Sequence, residues 1–176
     1  MWNWILTIIT IVIVLNKKMQ FDLCLHTLAQ HVPTVGCIRI KANACTADFV
    51  KTGVISIVVV ADASGSMGTD NRIENLRNGI LRLGELSKQF ESMRTELTVI
   101  KFNNEASIVF GPALVPSETE MKRLCMGIHP SGGTNVGKAM EMALIEAEHQ
   151  ADLGKFVHVI LLTDGVDTSS LKSRCV

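Results

Sequence analysis

The sequence lacks the features that mark proteins which bind nucleic acids. It contains no tyrosine, and aromatic residues make up only 5% of its 176 residues, which argues against a surface for base stacking. Lys+Arg and Asp+Glu both number 17, so the formal net charge is zero. Neutrality gives no electrostatic reason to expect nucleic acid or an anionic membrane as a partner.

Paired cysteines and glycosylation signals are also missing. The five cysteines are scattered, odd in number and without a C-x-x-C pair, so neither a zinc site nor a disulfide framework is expected. Reduced, buried thiols are the simpler interpretation. No N-x-[ST] sequon occurs, which favours an intracellular location.

The first sixteen residues carry no charge, and two lysines follow them. The run is shorter than the roughly 20 residues of a spanning helix, and its lysines lie on the wrong side for a signal peptide. Three interpretations stay open for residues 1–18: a short membrane anchor, a signal peptide, or a β-branched strand or non-native extension before Met19. Membrane contact through residues 1–16 is therefore possible.

The rest of the chain divides into a β-rich lead-in over 19–53 and one larger domain over 54–176. Its patterns predict strands at 54–61, 96–102, 107–111 and 155–165, and helices at 72–92, 117–127 and from 136 onward. The run VISIVVVA at 54–61 is typical of a central parallel strand buried on both faces. We expect a doubly wound, Rossmann-like α/β domain: a mostly parallel sheet with one antiparallel edge strand, preceded by the short β lead-in.

Polar residues cluster where these buried strands end. Asp62, Ser64 and Ser66 follow the first strand at a spacing of two, and Asp164 follows the last. Thr134 lies in a glycine-rich loop before a helix. Ligand sites of open α/β sheets lie beyond the carboxyl ends of the strands, so all five side chains can meet at one edge.

Pooled, the five residues offer two carboxylates and three hydroxyls, without sulfur or imidazole. All-oxygen ligation selects hard divalent cations, with Mg²⁺ first and Mn²⁺ or Ca²⁺ possible. Simpler roles also exist, because serine and aspartate favour turns and helix caps, and Thr134 could be the N-cap of the helix at 136.

Other chemistries fit less well. The stretch SGSMG at 64–68 is close to a nucleophile elbow, but Ser64 replaces its first glycine. His158 lies within an apolar strand and His129 in a loop with no evident reason to approach Ser66, so acyl transfer is not expected.

At these residues the chain resembles the von Willebrand factor A domain, whose metal-ion-dependent adhesion site combines D-x-S-x-S, a distant Thr and a distant Asp in a TDG-like turn. The resemblance covers roughly Val54 to Thr168, with every motif position present. It implies that Ser64, Ser66 and Thr134 contact the metal, while Asp62 and Asp164 hold it largely through waters. An Asp or Glu of a partner protein would complete the coordination.

The resemblance implies a non-enzymatic binding module. Two alternatives stay open: a degenerate structural domain without a ligand and, less favoured, a metal-assisted or serine hydrolase. The family's sheet usually has more strands than this chain supplies before Val176. We therefore expect a domain truncated at its C-terminus, or an open sheet edge beside the last strand.

Overall fold

A computed structural model describes residues 7–11, 53–89 and 94–164, the first of these ranges by its backbone alone. The strands are β1 (Thr7–Ile11), β2 (Val54–Asp62), β3 (Arg94–Phe102), β4 (Ala106–Leu114) and β5 (Phe156–Thr163). The helices are α1 (Arg72–Gln89), α2 (Glu118–Met126) and α3 (Val136–Asp152), with a short 3-10 turn at Gly65–Gly68. Within these ranges, no helix combines the length and the apolar character needed to cross a bilayer.

The strands form one sheet in the order β1-β5-β2-β3-β4. Strands β5, β2 and β3 are parallel, and β4 is antiparallel to β3. This arrangement confirms the predicted doubly wound α/β class with its antiparallel edge strand. Strand β2 is the first of the three parallel strands along the chain and has β3 on one side and β5 on the other, so the strand order reverses there.

Alternate residues of β2 supply two separate cores. Val58 and Val60 pack with α3 on one face of the sheet, and Val59 and Ala61 pack with α1 and α2 on the other. All four side chains are fully buried. Burial on both faces explains why this strand is an unbroken apolar run rather than an alternating one.

Helix α3 meets the sheet through small residues. Ala139, Ala143 and Ala147 recur every fourth position and are fully buried, as the sequence pattern predicted. On the opposite face, the free thiol of Cys125 is buried, and this burial raises its pKa. The prediction of reduced, buried thiols thus holds for Cys125, and the other four cysteines lie outside the described residues.

Strand β1 lies antiparallel along β5, with Thr7 opposite Thr163 and Ile11 opposite Val159. Residues 7–11 therefore form a strand, which agrees with the β-strand interpretation of the N-terminal segment. The edge of β5 that we expected to be open is paired with β1. The predicted lead-in over 19–53, except for Gly53, lies outside the described residues.

Candidate metal centre

Asp62 ends β2 and is fully buried. Its Oδ1 accepts the backbone N–H of Ser64 at 2.8 Å, and its Oδ2 accepts the hydroxyl of Thr163, at the end of β5, at 2.6 Å. Each carboxylate oxygen has more than one lone pair, so both can accept a further bond. The carboxylate is thus fixed in orientation and retains acceptor capacity.

Ser64 and Ser66 bring their hydroxyls together, with the two Oγ atoms 3.1 Å apart. Ser64 is buried, whereas Ser66 is exposed. The spacing of two does not reflect an extended loop, because residues 65–68 form a 3-10 turn that directly follows Ser64. The turn still presents one protected and one solvent-facing hydroxyl beside Asp62.

The loop before α3 is joined to the loop after β2 by two backbone hydrogen bonds. The Gly65 N–H donates to the Gly132 carbonyl at 2.9 Å, and the Ser131 N–H donates to the Ala63 carbonyl at 2.8 Å. Thr134 follows in this loop and is only 4% exposed. Its placement beside the Asp62 loop therefore rests on main-chain contacts.

Thr134 is not the N-cap of α3. That position belongs to Asn135, whose side chain accepts the Lys138 N–H at 3.0 Å. The alternative interpretation of Thr134 as a capping residue is thus wrong. Its hydroxyl is not committed to the cap.

The turn between β3 and β4 supports the Thr134 loop from the other side. The Asn103 side-chain amide donates to the Ser131 hydroxyl at 3.1 Å, and the Asn104 side chain accepts the Gly133 N–H at 2.7 Å. The Asn103 carbonyl also accepts the Asn135 N–H at 2.7 Å. The two adjacent asparagines are the sequence signal of this support, because asparagine side chains in turns commonly bond to backbone.

Asp164 directly follows β5, and its side chain is only 7% exposed. Its Oδ2 accepts a hydrogen bond from Arg72 Nη1 at 2.8 Å. Its Oδ1 is buried and has no hydrogen-bond partner among the described residues. A buried carboxylate oxygen without a partner is costly, so it marks a place where a cation or a water fits.

Arg72 is the residue of this region that sequence reasoning missed. It begins α1, where a cation opposes the helix dipole. Besides Asp164, its guanidinium contacts the Asp70 carboxylate at 3.2 Å and the Ser66 carbonyl at 3.4 Å. Asp70 is exposed but paired with this arginine.

The strand register explains why these groups share one edge. Asp62 lies opposite Phe102 of β3, and Ala61 lies opposite Leu162 of β5, so three parallel strands end side by side. Asp62, Ser64 and Ser66 are linked directly, Asp164 connects to the Ser66 carbonyl through Arg72, and the Thr134 loop connects through Gly132. The five predicted residues thus all lie at this edge of the sheet, Asp62 at the end of β2 and the others in the turn and loops around it.

The donor chemistry of this edge suits a hard cation. Within the described ranges, no group of three or more His, Cys, Asp or Glu side chains could hold a metal. A metal here would need hydroxyl oxygens in addition to carboxylates, as the set around Asp62 offers. The unpartnered Asp164 Oδ1 is a further acceptor for it or its water shell.

Neither His158 nor His129, the described histidines considered as a base, forms a hydrogen bond with the Ser66 hydroxyl. His158 lies in the middle of β5, where burial lowers its pKa and its ring packs edge-on against Phe156 at 4.7 Å. His129 is exposed in the loop after α2. The Ser66 hydroxyl is instead paired with Ser64.

A family model for the von Willebrand factor type A domain matches residues 57–166, a span that includes all five candidate residues. This chain belongs to the von Willebrand factor type A family. Domains of this family generally mediate metal-dependent protein–protein interactions through divalent metals and are generally non-enzymatic. The von Willebrand factor A domain thus accounts for the sheet, its helices and the polar edge.

Individual relatives contain this domain within larger proteins. Inter-alpha-trypsin inhibitor heavy chain H4 of Bos taurus is 36% identical over 123 residues, which cover 64% of this chain and 13% of that protein. Vitrin of Mus musculus is 29% identical over 151 residues, which cover 84% of this chain and 22% of that protein. The chain therefore spans only a small part of the curated relatives that it matches.

Among solved structures, proximal thread matrix protein 1 from the mussel byssus, with a zinc-occupied MIDAS motif, is similar at 24% identity and a TM-score of 0.43. That match covers 53% of this chain and 25% of the mussel chain.

Proposed function

We propose that this von Willebrand factor A domain captures a carboxylate of a partner protein through a divalent cation, Mg²⁺ first and Mn²⁺ or Ca²⁺ as alternatives. The cation would be held by Asp62, Ser64, Ser66, Thr134 and Asp164. The observation that carries the proposal is the hydroxyl pair of Ser64 and Ser66, 3.1 Å apart, next to a buried and oriented carboxylate.

The roles of the five residues follow from their surroundings. Asp62 is held by two donors, so its carboxylate keeps its orientation without a ligand. The buried Ser64 and Thr134 supply uncharged oxygens from the protected side, and the exposed Ser66 faces solvent, where a partner approaches. When bound, the cation supplies a hard, positively charged centre that accepts an anionic oxygen.

The choice of hydroxyls determines what the site binds. The three hydroxyl ligands are neutral and Arg72 offsets part of the Asp164 charge, so the charge of a divalent ion is only partly compensated and an added anion is favoured. A single exposed charge contact contributes little by itself, and most of the affinity must come from the surface that a partner buries around the ion. A partner Asp or Glu therefore provides orientation and metal dependence.

The first test is calorimetric titration of the full chain with Mg²⁺ and Mn²⁺. Wild type should show saturable heat that is abolished by EDTA and by Asp62→Ala, Ser66→Ala or Thr134→Ala. Ser107→Ala, on the exposed part of β4, is the matched control and should behave as wild type. Absence of saturable binding in folded wild type contradicts the proposal and favours the degenerate structural domain.

The second test addresses the partner and the chemistry. Proteins retained by the immobilised chain in Mg²⁺ should be released by EDTA and absent from the Asp62→Ala column. Retention that persists unchanged in EDTA contradicts metal-dependent capture. Turnover of a generic ester that disappears in Ser66→Ala would instead favour the hydrolase alternative.

A further inference from the structure

We propose that Arg72 is a built-in counter-charge that weakens metal binding at this site and strengthens the capture of an anion by the loaded site. The inference rests on the proposed metal-dependent function and assigns Arg72 a role in setting its ligand class. The observation behind it is the bond from Arg72 Nη1 to Asp164 Oδ2, 2.8 Å long and largely shielded from solvent.

The position of Arg72 is electrostatically unfavourable unless it is compensated. A cation at the first residue of a helix opposes the partial positive charge of that helix end. Two carboxylates compensate it, Asp164 at 2.8 Å and Asp70 at 3.2 Å. The Arg72 side chain is only 18% exposed, so its charge is weakly screened compared with that of Asp70, which is 55% exposed.

The two oxygens of the Asp164 carboxylate have different surroundings, and this difference shows how Arg72 acts. Oδ2 is taken by the guanidinium, while the buried Oδ1 has no partner among the described residues. Arg72 therefore neutralises Asp164 from one side and leaves the other oxygen available. An incoming cation meets an acidic residue whose charge is already partly offset.

The charge balance gives opposite effects on the two binding steps. Asp62, Asp70, Asp164 and Arg72 together carry a formal charge of two negative units, which a divalent cation brings to zero. Without Arg72 the loaded site would carry one negative unit at these groups. Arg72 thus opposes the arrival of the cation and favours the arrival of an anion, through the same unit of charge.

The test compares Arg72→Gln with Arg72→Lys, which keeps the charge. Arg82→Gln is the matched control, because Arg82 lies on the same helix, 65% exposed and paired with Glu85. Mn²⁺ alone is titrated by electron paramagnetic resonance, and acetate is then titrated by its effect on the water-proton relaxation of the Mn²⁺-loaded protein.

We expect Arg72→Gln to bind Mn²⁺ on the order of tenfold more tightly and acetate on the order of tenfold more weakly. Arg72→Lys and Arg82→Gln should stay close to wild type in both titrations. Arg72→Met is a second neutral variant that keeps the apolar stem, in case the glutamine variant does not fold. It should shift both affinities in the same directions as glutamine.

Opposite shifts are the signature of a charge effect, since loss of orientation alone would weaken both steps. The inference is overturned if the neutral variants weaken Mn²⁺ and acetate binding together, or if they change neither. Those outcomes leave the proposed function intact, because wild type would still bind both ligands. Failure of wild type to bind Mn²⁺ would instead refute the proposed function itself.

Discussion

The Thr163 hydroxyl donates a hydrogen bond to Asp62 Oδ2 over 2.6 Å, and both residues are buried. This bond connects the ends of two neighbouring parallel strands, β2 and β5, across 101 residues of sequence. It holds one oxygen of the Asp62 carboxylate, while the Ser64 N–H holds the other. The bond thus couples the stability of the sheet edge to the geometry of the proposed metal site.

We expect Thr163→Val to lower the free energy of unfolding by about 1–3 kcal/mol, because a buried carboxylate oxygen loses its donor. Mn²⁺ affinity should fall as well, since Asp62 is then held by one bond instead of two. Urea unfolding in EDTA and Mn²⁺ titration measure the two effects. Thr163→Ser keeps the hydroxyl and should retain most of the stability and most of the Mn²⁺ affinity. A serine variant that loses as much of either as the valine variant would contradict this explanation.

The close approach of the two loops can be tested at Gly65. A Cβ added there would lie 3.2 Å from the Gly132 carbonyl oxygen, the atom that accepts the Gly65 N–H. We expect Gly65→Ala to push the Thr134 loop away and to weaken Mn²⁺ binding, as measured by calorimetry. Such a shift would leave the helices intact by circular dichroism.

The matched control is Gly79→Ala in α1, where a Cβ would meet nothing within 4 Å. Alanine in a helix interior should stabilise the domain by about 0.5–1 kcal/mol without changing Mn²⁺ affinity. Equal metal binding by wild type and Gly65→Ala would show that the contact between these loops does not position the site.

Stability should fall as the solution is acidified below the ordinary pKa of histidine. Burial lowers the pKa of His158 from its usual 6.5, so the unfolded chain takes up a proton at a pH where the folded chain does not. The contribution of this residue is therefore zero above the unfolded pKa and becomes unfavourable as pH falls towards the folded one. Urea unfolding between pH 7.5 and 5.5 measures this slope, which should be smaller in His158→Leu, and identical slopes would contradict it.

The middle of β3 contains a buried hydroxyl that should be dispensable. Thr98 is fully buried, and its Oγ1 has no hydrogen-bond partner among the described residues. We expect Thr98→Val to raise the free energy of unfolding by about 1 kcal/mol, because valine has nearly the same shape without an unpaired polar group. Mn²⁺ affinity serves as the control and should stay unchanged. A loss of stability would mean that the hydroxyl has a partner in solution.

Local patterns sufficed to predict β2 to β5 and the three helices. The apolar run that became β2 is buried on both faces, and the alanines of α3 recur at the period that packs a helix against a sheet. The five candidate residues could be found for a similar reason, since polar residues after buried strands are expected at one sheet edge. These signals depend on short stretches of sequence.

Two kinds of feature could not be predicted from the sequence: contacts between residues far apart along the chain, and the choice between neighbouring residues that suit the same role. Arg72 and Asp164 are 92 residues apart, and nothing in the residues around Arg72 indicates its partner. Thr134 was a suitable cap for α3, but the helix begins at Val136 and the neighbouring Asn135 accepts the Lys138 N–H instead. The pairing of β1 with β5 also lies beyond local patterns, because many strands in a sheet are compatible with a β-branched segment.

The pairing of β1 with β5 has a consequence for how the chain reaches its folded form. Thr7 is synthesised long before its neighbour Thr163, because most of this sequence lies between them. Such high contact order makes the closing of this edge a late and slow event. During synthesis, β1 is unpaired until β5 has been made. Binding by a chaperone in that interval would protect β1 from pairing with another nascent chain.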